Sequence, residues 1–439
     1  MRGIAAALLE AILVQRRNMK QVLQEAQRCL SRDDDRSLLR ELVSGAVRRL
    51  PHLDRVIDTV AERGKEGTPS DVLQILRVGI YQLLYLDRIP PYAAVDRCVA
   101  AAKVVRPGAA GFVNGVLRRV ADDPTPCSLE AMSLRGREGI ALRTGMPAWI
   151  VDRALYRFGD EQGEALLAAL QEPALPSVFF PDPEREARGL RILAEGGCVT
   201  EPDGALPGLH HVREGSVLEG SALREDSFYV MDPASMVPAI LLPVPEGGAV
   251  LDLCAAPGGK SIVLASRREV ARVVSCDVRP ARVRLIEENA RRLGLDRIEP
   301  HRVDAENPLP FRDKFPSVLV DAPCSSLGTL RKNPEIRWQL RESDLPALAE
   351  REGRILSHAA GAVAPGGHLL YAVCTLEPEE TLGVADSFLA QHPEFASAEL
   401  HPDAALEGLL EDVGRGRTAM LPHRHDWDGF FAALFRRRP

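Results

Sequence analysis

From Gly247 to the end of the chain, short β-branched runs alternate with helical patterns, and no other feature constrains the fold as much. The runs are Ala249–Cys254, Arg272–Asp277, Ile298–Val303, Ser317–Asp321 and His368–Cys374, with helical periodicity over 280–293 and 345–363 between them. Parallel strands need long crossover connections, which helices on the two faces of a sheet supply. The expectation is an α/β, Rossmann-like domain over 246–439 built on a mostly parallel sheet.

The remainder reads differently. Apolar residues recur at helical spacing in Leu38-Leu42-Val43-Ala46-Val47-Leu50 and Val72-Ile75-Leu76-Gly79-Ile80-Leu83, with breakers at Pro51, Pro69, Pro90-Pro91 and Pro107-Gly108. This predicts an all-α domain over 1–125, followed by a helical linker over 126–172. Residues 173–245 mix short apolar runs with Pro and Gly and suggest a small α+β module. Four segments are thus expected in 439 residues.

Composition narrows the function classes. No run of about 18 uncharged apolar residues occurs, so no membrane crossing is expected. Gly3 to Val14 carries Glu10 and reads as an amphipathic helix, not a signal peptide, which makes the cytosol the expected location. Eight cysteines stand alone, with no C-x-x-C pair, so reduced thiols and no structural metal are expected. Net charge is −7, yet residues 1–145 hold 23 Lys and Arg against 17 Asp and Glu. A basic front on an acidic remainder suits concentrated nucleic-acid contacts, although charge alone does not establish them.

Asp252-Leu253-Cys254-Ala255-Ala256-Pro257-Gly258-Gly259-Lys260-Ser261 follows the first strand of the alternating region and opens a helix. Ligands of doubly wound sheets lie beyond the carboxyl ends of the strands, where this turn sits. The turn is neither G-x-G-x-x-G nor G-x-x-x-x-G-K-[ST], which disfavours a dinucleotide and a nucleoside triphosphate. Asp277 ends the second strand, where an acid can take both hydroxyls of a ribose, and Asp304, after the third, could face an adenine amino group. S-adenosyl-L-methionine, with an adenosine and no phosphate, satisfies all three features.

Asp321-Ala322-Pro323-Cys324-Ser325-Ser326 ends the fourth strand and Tyr371-Ala372-Val373-Cys374-Thr375 the fifth. Adjacent parallel strands would bring two thiols and a carboxylate together above the cofactor. Carbon 5 of a pyrimidine is a poor nucleophile until a thiolate adds at carbon 6 and makes the ring an enamine. An acid hydrogen-bonded to ring N3 stabilises that adduct.

These motifs, with Pro334-Glu335-Ile336-Arg337-Trp338, Pro365-Gly366-Gly367 and the tail from Leu421-Pro422-His423 to Asp428-Gly429-Phe430-Phe431, resemble the RNA cytosine-5 methyltransferases of the NOL1/NOP2/Sun family over roughly residues 230–439. The resemblance implies that Cys374 is the nucleophile, that Cys324 assists product release, and that Asp321 contacts the cytosine. It implies a cofactor pocket lined by Cys254, Ala255, Ala256, Pro257, Gly258, Gly259, Lys260, Asp277, Asp304 and Asp321. Glu41-Leu42-Val43-Ser44-Gly45 and Phe112-Val113-Asn114-Gly115-Val116-Leu117-Arg118 resemble the NusB RNA-binding fold, with Arg118 and Arg119 placed to meet phosphates. That pairing of domains is the arrangement of the family's bacterial ribosomal RNA members. It implies methylation of a cytosine in 16S ribosomal RNA, free or in an assembling small subunit, by a monomer. A transfer RNA cytosine-5 methyltransferase and a non-catalytic ribosome-assembly factor share these features and stay open as alternatives. One departure stands out: the small module has Ser177-Val178-Phe179-Phe180-Pro181 where the family carries an Arg-Val-Asn-like strand.

Overall fold

The computed structural model describes residues 1–439 except 133–134, 216, 218–225, 413 and 415. The chain groups into two compact units: Met1–Glu172 with Leu330–Glu342, and Pro173–Thr329 with Ser343–Pro439.

The first unit is helical. Asp33–Arg48 begins with three acids and ends on Arg48, so charges of the favourable sign lie at both ends of its dipole. It buries Leu39, Leu42, Val43, Ala46 and Val47; Ser70–Tyr85 buries Val72, Ile75, Leu76 and Ile80. Pro51 marks the change of helix: Asp33–Arg48 ends just before it, and it sits in the first turn of Leu50–Val60, where its missing N–H is no loss. Val113, Val116 and Leu117 of the helix Ala110–Asp122 join the same core. Arg118 is exposed, and Arg119 donates to the Val60 carbonyl.

The inserted segment Leu330–Glu342 carries the motif Pro334-Glu335-Ile336-Arg337-Trp338 into the helical unit. Trp338 packs on the helical core and donates its indole N–H to the Val47 carbonyl at 2.9 Å. Arg337, 1% exposed, donates to the Gly145, Leu170 and Leu330 carbonyls and to Gln171 Oε1.

The second unit holds two sheets. Strands β1 (Ser177–Phe179), β2 (Val199–Pro202), β3 (Leu209–Glu214) and β4 (Tyr229–Val230) form an antiparallel sheet in the order β2-β3-β1-β4. The helix Pro183–Glu195 is capped by the Asp182 carboxylate. All three β1 side chains are buried, because this strand lies inside the sheet and not at its edge. Phe179, Leu206 and Leu209 join the core of the larger sheet, while Val178, Phe180, Leu193, Val212 and Phe228 belong to a core of the module's own.

That larger sheet contains β5 (Gly248–Leu253), β6 (Val270–Asp277), β7 (Ile298–Arg302), β8 (Phe315–Asp321) and β9 (Val363–Val373), all parallel and ordered β9-β8-β5-β6-β7. Beyond β9, β10 (Phe395–Ser397), β11 (Glu411–Asp412), β12 (Arg417–Met420) and β13 (Phe430–Arg437) add an antiparallel extension absent from the sequence expectation. Alternate residues of the parallel strands face opposite cores. Val250, Leu319 and Leu370 lie in one, Leu251, Val318 and Leu369 in the other. Burial on both faces is why these strands read as apolar runs. Among the described residues no helix is long and apolar enough to cross a membrane.

Candidate active site

β5 leads into the turn Cys254–Gly258 and then the helix Gly259–Ser266. Gly258 has φ +106°, a region open to glycine and costly for other residues. A Cβ on Gly259 would come within 3.0 Å of the Tyr229 ring, so the turn also needs glycine for its packing. The Ala255 amide donates to the Cys276 carbonyl at 2.8 Å, which ties the turn to the end of β6.

Asp252 is fully buried and accepts the Ser261 hydroxyl at 2.5 Å; Ser275 donates to Ser261 at 2.8 Å. Among the described residues the Asp252 Oδ1 has no partner, and burial, more than the neighbouring Asp321 charge, pushes its carboxyl up to about 7. Burial also pushes the Cys254 and Cys276 thiols up, Cys276 to about 12, which suits neutral packing residues.

Asp277 is 4% exposed, at the tip of β6, where its carboxylate accepts the Arg279 amide at 3.1 Å and pairs with Arg282 at 3.2 Å. Arg282 also donates to the Ala256 carbonyl, and Asn289 to that of Pro257 at 3.0 Å. Neither Arg282 nor Asn289 stood out in the sequence; both lie one helix beyond the turn they hold, outside the motif. Asp304 is exposed and closes its own turn, accepting the Glu306 amide at 3.0 Å and the Asn307 side chain at 2.9 Å.

Lys260 reaches from the glycine-turn helix to Asp321 at the tip of β8, 2.7 Å away, and to Ser235 Oγ at 3.0 Å. Its ammonium stands 4.8 Å from the Phe430 ring centroid. Phe430 belongs to the tail motif, whose Gly429 amide donates to the Gly328 carbonyl at 2.8 Å. A Cβ on Gly328 would strike the Gly429 backbone, which explains a glycine at each position.

β8 and β9 pair in parallel with Asp321 opposite Ala372, and their tips bring Cys324 Sγ and Cys374 Sγ within 3.3 Å. Cys374 Sγ also lies 3.4 Å from Ser326 Oγ, and Ser325 donates its hydroxyl to Thr375 at 3.0 Å. The contact with Cys374, then burial, raises the Cys324 thiol well above its ordinary value. The two thiols are thus close enough to share a hydrogen, with either sulfur as the donor. Glycine turn, carboxylates and thiol pair all lie in the second unit, at the carboxyl ends of the parallel strands.

The profile of the 16S rRNA methyltransferase RsmB/F family matches residues 239–436, and that of the NusB family matches residues 1–122. A ribosomal RNA small subunit methyltransferase B of Klebsiella pneumoniae is 31% identical, the match covering 100% of this chain and 98% of the relative. One from Pseudomonas putida is 34% identical over 91% and 90%. The crystal structure of PH0851 superposes with a TM-score of 0.79 at 24% identity, covering 99% of this chain and 98% of that one, which shows a shared fold.

Proposed function

The chain belongs to the RsmB/F family of 16S rRNA methyltransferases, and from that premise we propose that it methylates carbon 5 of a cytosine in 16S ribosomal RNA through a covalent Cys374 adduct. The observation that carries this reading is the pair of thiols 3.3 Å apart beside the Lys260–Asp321 ion pair.

S-adenosyl-L-methionine, when bound, supplies an electrophilic methyl group. The residues present fit it: the Cys254–Lys260 turn carries two glycines, Gly258 at positive φ, and Asp277 stands at the next strand tip to take ribose hydroxyls. Asp304 is the weakest member of the set, since both its oxygens already serve its own turn.

The chain's own groups do the rest. Cys374 adds as its thiolate to carbon 6, with Cys324 beside it. Asp321 bonds the ring at N3, with Lys260 behind it as the donor that keeps a proton available to the pair. After transfer, the carbon 5 proton passes to a base, the electrons of that bond re-form the C5–C6 double bond, and the carbon 6–sulfur bond breaks to release the Cys374 thiolate, with Cys324 assisting its departure. A base inside a helix must first leave its stack to reach these groups. The helical unit binds the RNA mainly at phosphates, Arg118 being exposed for that purpose, and the protein acts as a cytosolic monomer.

Bisulfite sequencing of ribosomal and transfer RNA from cells with and without the gene tests the reading. Loss of one protected cytosine in 16S rRNA is expected. A lost transfer RNA site would move the substrate, and no change would favour the assembly-factor alternative. In vitro, Cys374→Ala should abolish methylation with cofactor affinity kept, and Cys324→Ala should accumulate a denaturant-resistant protein–RNA adduct. An active Cys374→Ala protein would rule out the assigned roles.

A further inference from the structure

Behind the two thiols lies a buried acidic cluster that the proposed chemistry does not use. Glu352, on the helix Leu345–Ala360, and Glu380, in the single π-turn Glu379–Gly383, are both fully buried. Glu380 Oε1 accepts the main-chain amide of Ser325, the residue after Cys324, at 2.6 Å. The Tyr371 hydroxyl, on β9 three residues before Cys374, lies 2.6 Å from the Glu380 carbonyl and 3.0 Å from Glu352 Oε2.

Counting hydrogens shows what this arrangement requires. Among the described residues the cluster finds two donors, the Ser325 amide and the Tyr371 hydroxyl, and neither reaches Glu352 Oε1 or Glu380 Oε2. Two carboxylates cannot share a dry site while both are charged. A proton on Glu352, donated to Glu380, removes the second charge and supplies the missing bond. Burial and the facing Glu380 accordingly push the Glu352 carboxyl up to about 10.

We propose that Glu380 and Glu352 share one proton, and that the resulting carboxyl–carboxylate pair is a positioning device that clamps the Cys324 turn and sets the spacing of the two thiols. The clamp is needed because that turn is unusual. Ser326 sits at φ +60°; the Ala322 amide on the Ala372 carbonyl and the Gly328 amide on the Cys374 carbonyl, both 3.0 Å, tie the ends of the turn to β9, while its middle, next to Cys324, is held through Ser325, by its hydroxyl on Thr375 and its amide on Glu380. Tyr371 carries the constraint into β9, so one cluster touches the chain on both sides of the thiol pair. As to catalysis, the inference rests on the cysteine roles proposed above; as to thiol spacing, it stands by itself.

The decisive measurement needs no RNA. Diamide takes one hydrogen from each of two neighbouring thiols and closes them as a disulfide. Cys324 and Cys374 should crosslink rapidly in the intact protein, and roughly ten-fold or more slowly in Glu380→Ala and Glu352→Leu. Glu352→Gln, whose amide donates to Glu380 without needing a proton, should restore the parental rate. In methylation assays kcat should fall in the same order while KM for the cofactor stays within about two-fold. Parental crosslinking in Glu380→Ala, or a Glu352→Gln protein as slow as Glu352→Leu, would overturn the proposal. An infrared difference spectrum between the parent and Glu352→Gln should show the C=O stretch of a neutral carboxylic acid at neutral pH. Its absence would also overturn the proposal, whether or not the leucine and alanine variants fold. Slowed crosslinking in a protein that methylates some other RNA atom would keep the clamp and remove the carbon 5 reading. Carbon 5 methylation with unaltered crosslinking in the variants would do the reverse.

Discussion

Asp252 shows how one side chain can link the site to stability. Its carboxyl is fully buried, bonded through one oxygen only, and raised from 3.8 to about 7. An acid whose folded value exceeds its unfolded one binds more protons when folded, so its contribution favours the native state at low pH and is lost as pH rises. Between about pH 4 and 7 this residue should make stability fall with pH, and the slope should level off above that window. Asp252→Asn, neutral throughout, should lack that component, so subtracting urea midpoints of variant and parent across pH 4–8 should reveal it. A difference that does not vary with pH would mean that Asp252 is already ionised in the folded protein. The thiols carry the complementary lesson: Cys254 and Cys276 sit as close to the glycine turn as a nucleophile would, yet burial holds both protonated.

At the scale of the element, glycines decide which helices can touch. Gly45 lies in the helix Asp33–Arg48 under the Tyr81 ring, and a Cβ there would overlap that ring. The close approach lets the Tyr81 hydroxyl reach Glu41 on the same helix, and burial with that bond pushes the phenol well above its usual value. Gly45→Ala gains helix propensity but must displace the ring, so a net loss of about 1–3 kcal/mol is expected for the helical unit. Urea unfolding followed by tyrosine fluorescence would measure it; a gain in stability would mean that the ring yields freely. A similar constraint operates between Gly79 and Leu117, where an added Cβ would approach the leucine methyls at 2.6 and 2.7 Å.

Across the whole molecule, the chain does not finish one unit before starting the next. It leaves the second unit after Thr329, contributes Leu330–Glu342 to the helical one, and returns at Ser343. Arg337 anchors the inserted segment on two carbonyls, Gly145 and Leu170, and one side-chain amide, and ties it internally to the Leu330 carbonyl, with burial lowering its guanidinium to about 9. Glu335 accepts the Met19 amide at 3.1 Å, and Gln339 donates to the Ile12 carbonyl at 3.0 Å. Arg337→Met keeps much of the volume but strands these buried acceptors, at a cost of about 3 kcal/mol or more. Limited proteolysis should then cut the variant within 330–342 while the parent stays intact. Equal resistance in both would show that the segment is held by Trp338 and its neighbours without the arginine.

Sequence alone determined the elements whose signals are local. The helices of residues 1–122 follow from apolar spacing and breakers, the five parallel strands from double-sided burial, and the glycine turn and both strand-tip cysteines from short motifs whose meaning depends on their place along the chain. What only the tertiary structure decided is everything that joins residues far apart in sequence without a shared pattern. The antiparallel extension through β13 is one case, since its strands pair by register with β9 and not by any periodicity of their own. Arg282 holding the glycine turn, Leu330–Glu342 lying in the helical unit, and Glu352 beside Glu380 are others. In each, a charged side chain or a short irregular segment is read locally as solvent-facing, because the partners that make its burial tolerable come from another part of the fold.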